Sequence, residues 1–106
     1  MAEVPDIVIG KIKLLIEELE KNDIHIEKAI LFGSYSKGNF NEWSCIDLAL
    51  ISNDFSGDRW EDKELIRKYN VVTNWDIAPL PYIPEDFFSS AFAKSEILEK
   101  GIEIQR

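Results

Sequence analysis

The chain has 106 residues and 12.2 kDa, room for one domain spanning residues 1–106 with a single modest core. Hydrophobic residues make up 45% and charged residues 30%, which excludes a disordered or fibrous chain. Twenty acidic side chains against 12 basic ones give a net charge of -8 and a pI near 4.6, a balance that repels phosphate backbones, so direct nucleic-acid binding is not expected. No apolar run is long enough to span a bilayer, and the first residues lack the basic and apolar regions of a secretory signal. Cys45 is the only cysteine, so no internal disulfide can form, and the reading is a cytoplasmic protein with no membrane association.

Ile9, Ile12, Leu15, Ile16 and Leu19 recur at helical spacing between charged residues, predicting an amphipathic helix from Pro5 to about Lys21. Lys28 to Phe32 is a short apolar run of the kind buried on both faces of a sheet, and Gly33-Ser34 ends it. Tyr35 to Ser44, with Gly38, Asn39 and Asn41, suits a short helical turn and a loop. A second strand is expected from Cys45 to about Ile51. Asp58 and Glu61 have capping-box spacing, opening a mostly polar surface helix that runs to roughly Tyr69. Val71 to Ala78 is rich in β-branched and aromatic residues and reads as a third strand, ended by Pro79 and Pro81. Pro84-Glu85-Asp86 starts a helix. A last amphipathic segment around Ile97 and Leu98 stops at Gly101 as a C-terminal cap, with a short tail strand at Ile102 to Ile104. This order describes an α/β (α+β) domain with a short mixed sheet and helices packed mainly on one face.

The chemistry is concentrated between the first two strands. The sequence reads Gly33-Ser34, then an interval of ten residues, then Cys45-Ile46-Asp47 on an apolar strand. A Gly-Ser turn between a strand and a helix start offers backbone N–H groups and a hydroxyl to a polyphosphate. Lys37, just beyond it, is placed either to pair with a phosphate oxygen or to remain a solvated side chain. Side chains alternate on a strand, so Cys45 and Asp47 share a face, and Asp76 on the third strand can join them. A carboxylate inside an apolar strand is costly without a partner, which favours a functional reading of Asp47.

This arrangement resembles the nucleotidyltransferase superfamily related to DNA polymerase β, whose signature is Gly-Ser, about ten residues, then Asp-x-Asp on the next strand. It is most similar to the minimal nucleotidyltransferases, antitoxin-type partners of HEPN-domain proteins, and the likeness runs from the leading helix to Leu98-Glu-Lys-Gly-Ile102. The resemblance implies the nucleotidyltransferase fold. It also implies Gly33, Ser34 and Lys37 as nucleotide-binding residues, and Asp47 and Asp76 as catalytic and metal-holding residues. The implied cofactor is Mg²⁺ or Mn²⁺ and the implied nucleotide is ATP, with transfer of a nucleoside monophosphate to a hydroxyl, such as a tyrosine of a helical HEPN-type partner.

One position departs from the signature. Cys45 stands where the first Asp is expected, and a thiol is a soft, usually protonated ligand where Mg²⁺ requires a hard anionic oxygen. Read from its strand alone, Cys45 is a small buried hydrophobe. Glu42 and Asp54 are the nearby acids that can compensate. The alternative function is therefore a catalytically impaired binding module acting by protein–protein contact. His25 reads as a surface or half-buried residue with no catalytic part, and Trp43, Trp60, Trp75, Phe87 and Phe88 as core or rim, a subset of which can form a partner patch.

Overall fold

The computed structural model describes residues 4–38, 45–73 and 77–104, side chains at 70–73 aside. Helix α1 (Asp6–Lys21) follows Pro5 and buries Val8, Ile12, Leu15, Ile16 and Leu19, one stripe at helical spacing. Strand β1 (Lys28–Phe32) leads into a single turn of helix, α2 (Ser34–Lys37), then β2 (Ile46–Ile51). Helix α3 (Arg59–Thr73) and strand β3 (Ile77–Tyr82) follow. Helix α4 (Pro84–Ser89), a π-wound helix α5 (Ala93–Leu98) and the two-residue strand β4 (Ile102–Glu103) complete the described chain.

The four strands form one mixed sheet in the order β3-β2-β1-β4. β1 runs antiparallel to both β2 and β4, and β2 runs parallel to β3. Both sheet faces are covered, which explains the continuous apolar runs of β1 and β2. On one face Leu31, Leu48 and Leu50 meet the long helices α1 and α3; on the other Ile30, Ala49 and Ile51 meet Phe87 of α4 and Ala93 and Ile97 of α5.

The expected third strand is displaced. Val71 to Thr73 form the last turn of α3, and the strand begins at Ile77 and contains both prolines. Tyr82 O accepts from Ser52 N at 3.0 Å, so residues 78, 80 and 82 turn their peptide groups toward β2. Pro79 and Pro81 therefore turn toward the outer edge, where a missing N–H breaks no ladder bond and blunts the edge against further pairing. Helix α3 is also less exposed than its composition implies: Ile66 is fully buried, Leu65 and Tyr69 pack on the core, and Asp62 is 3% exposed.

Of the expected helix signals, one is present as read and one in altered form. Glu61 N donates to Asp58 Oδ1 at 3.1 Å, the N-cap bond that the Asp58–Glu61 spacing predicts. Gly101 follows α5, and its N–H donates to Ile97 O at 2.8 Å, but its requirement is space rather than a left-handed backbone. A Cβ there would meet Ile97 O and, at 3.0 Å, Leu31 O, because the chain turns tightly against β1.

Candidate active site

The antiparallel register places Phe32, the last residue of β1, opposite Asp47, the second residue of β2. Chain reversal at Gly33 thus folds the start of α2 back over the Asp47 carboxylate. Gly33 has φ +73°, and a Cβ on it would lie 3.2 Å from Asp47 Cγ and nearer still to Oδ2. Only glycine supplies both that backbone and that clearance. The one-turn helix is pinned by Tyr35, buried in the α1/α3 core, and by two bonds to Gly33 O, from Ser36 Oγ at 3.0 Å and Lys37 N at 3.1 Å. Ser34 opens this turn, where the first N–H groups of a helix have no intrahelical acceptor.

Asp47 is half-buried on the face that carries Ala49 and Ile51. Desolvation by burial holds its carboxyl above the ordinary aspartate range. A carboxylate in that condition gains from a bound cation, which replaces the water it has lost. Cys45 lies just before β2 and is exposed, which corrects the reading of a small buried hydrophobe: β2 pairs only from Ile46 onward, so residue 45 escapes the covered sheet.

Lys37 is half-exposed and its Nζ is 3.8 Å from Glu96 Oε1 on α5. Glu96 also accepts from Lys100 Nζ at 3.0 Å, and that bond, with smaller help from Lys37, holds its carboxyl below the usual range. Glu96 was not legible as a neighbour of the Gly-Ser turn, because the contact links residues far apart in the chain. Asp54 does not reach the site: it lies beyond the opposite end of β2, where its Oδ2 accepts from His25 N at 2.8 Å. His25 is exposed, as expected of a surface residue. Asp76 and Glu42 lie outside the described residues, as do Trp43 and Trp75. Among the described residues no three His, Cys, Asp or Glu side chains converge as a metal-holding group.

The Nucleotidyltransferase domain family model matches residues 12–104, which includes the Gly33-Ser34 turn and Asp47. The chain belongs to this family. Among solved structures, a toxin–antitoxin crystallised with AMP-PNP is similar at 23% identity and TM-score 0.57, covering 92% of this chain and 72% of that one. A mutant of the toxin–antitoxin MntA-HpeT is similar at 23% identity and TM-score 0.53, with the same coverage. These two likenesses concern the fold. No curated protein matches the sequence. Within the matched span, the turn at Gly33 lies against Asp47, and Cys45 is exposed two residues before it. No described helix is long and apolar enough to cross a membrane.

Proposed function

We propose that this nucleotidyltransferase domain binds a nucleoside triphosphate, with ATP the favoured nucleotide, and transfers its nucleoside monophosphate to a hydroxyl on a partner protein. The observation that carries the reading is the fit of Gly33 over the Asp47 carboxylate: a turn suited to phosphates lies directly against a half-buried acid. Ser34 and the first N–H groups of α2 bind phosphate oxygens, and Lys37 exchanges Glu96 for phosphate when the nucleotide arrives. Asp47 fits Mg²⁺ or Mn²⁺, since Mg²⁺ is commonly held by one or two carboxylates together with substrate phosphates and water. Such an ion, when bound, offsets phosphate charge. Asp76 is the proposed second acid, and a fact of the fold supports it: its chain neighbour Ile77 pairs with Ile46, next to Asp47. In the transfer the acceptor oxygen bonds to the α-phosphorus, the bond to the leaving pyrophosphate breaks, and the acceptor's hydroxyl proton passes to solvent water.

The similarity to toxin–antitoxin structures, one of them crystallised with AMP-PNP, supports an antitoxin role exercised on a cognate toxin. A helical HEPN-type protein, modified on a tyrosine, is the partner and acceptor we assign. The exposed Cys45 favours a second reading, in which one ligand of a two-metal clamp has been lost and the domain acts mainly by covering its partner. Calorimetric titration tests the binding step. The reading predicts that ATP with Mg²⁺ binds the unmodified chain and that Asp47→Asn weakens it at least about tenfold, the loss of a charged ligand. Absence of ATP binding, or equal binding by Asp47→Asn, would refute it.

A further inference from the structure

Phe92 directly precedes α5 and leaves 50% of its surface exposed, although Ala93 beside it and Ile97 one turn on are fully buried. Its ring meets Phe32 edge-to-face, with centroids 6.2 Å apart, and Phe32 is the register partner of Asp47 and the residue before Gly33. Four positions along from Phe92, Glu96 reaches Lys37 at the end of α2. The segment from Phe92 to Glu96 therefore flanks the β1–α2 corner, with an aromatic ring at one end and an ion pair at the other. The helix there is π-wound, a geometry that recurs at functional sites.

The other exposed aromatics stand elsewhere. Phe88 packs on Phe87, which meets Tyr82, and Tyr82 pairs with Ile51 at the end of β2 remote from Asp47. Trp60 lies in the first turn of α3. Among the described residues, Phe92 is the large exposed aromatic joined by a ring contact to the corner holding Asp47.

We propose that Phe92 is the stacking platform for the nucleobase of a nucleoside triphosphate held at the Gly33–Asp47 corner, an inference that rests on the nucleotide-binding reading above. Every base offers a π-face, so a lone aromatic platform contributes affinity without choosing among bases. The nucleotide is thereby held at two points, phosphates at the turn and base on the ring.

Equilibrium titration with two probes, ATP and inorganic tripolyphosphate, each with Mg²⁺, separates these points. Phe92→Leu keeps apolar bulk against Phe32 and removes the π-face. It is expected to weaken ATP about tenfold, within the range for loss of one base–aromatic stack, and to leave tripolyphosphate unchanged. Phe92→Trp restores ATP binding, and Phe88→Leu alters neither ligand. Equal ATP affinity in Phe92→Leu and the unmodified chain, with Asp47 still required, would overturn the platform and leave the nucleotide reading standing. Parallel loss of both probes in Phe92→Leu would overturn it in favour of a purely structural role. Failure of ATP to bind the unmodified chain would remove both readings together.

Discussion

Gly33 and Asp47 occupy one volume that admits no further carbon: a Cβ at Gly33 would come within 3.2 Å of Asp47 Cγ, on a backbone with φ +73°. Gly33→Ala is accordingly expected to destabilise the fold by about 1–3 kcal/mol, from the left-handed strain and the displaced carboxylate together. Urea unfolding followed by circular dichroism checks this, and the same variant should lose ATP affinity because the turn must move.

The half-buried Asp47 carboxylate is carried at the expense of the fold. Its folded carboxyl titrates above the unfolded one, so the folded state holds the extra proton between the two values, and stability falls as pH rises through that window. At neutral pH the ionised group is a net cost. Asp47→Asn should therefore raise the melting temperature at pH 7, by an amount worth ~1 kcal/mol or less given the partial exposure, and the gain should vanish below the unfolded pKa. Thermal melts at pH 7 and pH 3 check the gain and its disappearance.

Asp62 carries the opposite balance. It is buried and accepts three bonds from the β2–α3 loop, from Ser56 N at 2.8 Å, Ser56 Oγ at 3.0 Å and Gly57 N at 3.0 Å. Asp62→Ala leaves those donors unpaired and is expected to cost about 2–3 kcal/mol, read as a lower urea midpoint with an unchanged slope.

Cys45 is exposed just ahead of β2, so a thiol reagent should modify the folded chain without prior unfolding. Mass spectrometry of the native protein after brief alkylation checks it.

The sequence was most informative where side chains alternate or recur against a single core. Helix α1 and the strands β1 and β2 were legible, because burial on both sheet faces writes itself as continuous apolar runs; the contact of Gly33 with Asp47 was not, since it follows from the antiparallel register of β1 and β2. Val71 to Thr73 misled because β propensity is weak against the continuation of an established helix, and Pro79 and Pro81 misled because an edge strand can orient them outward. Asp62 lies in the helix read from sequence as mostly polar; the Ser56-Gly57 turn just ahead of it is the signal that its burial leaves in the chain. Phe92 and Glu96 had no such signal, since their partners Phe32 and Lys37 are brought to them only by the folding of α5 across β1.

The most direct test of nucleotidyl transfer at Asp47 follows label from α-labelled ATP, with Mg²⁺ or Mn²⁺, into protein acceptors including a co-expressed toxin partner. Three chains are compared: the chain as it stands, Cys45→Asp and Asp47→Asn. Weak labelling is expected from the unmodified chain, at least about tenfold more from Cys45→Asp as a hard ligand is supplied, and none from Asp47→Asn. Labelling that survives in Asp47→Asn, or silence from Cys45→Asp, would contradict it.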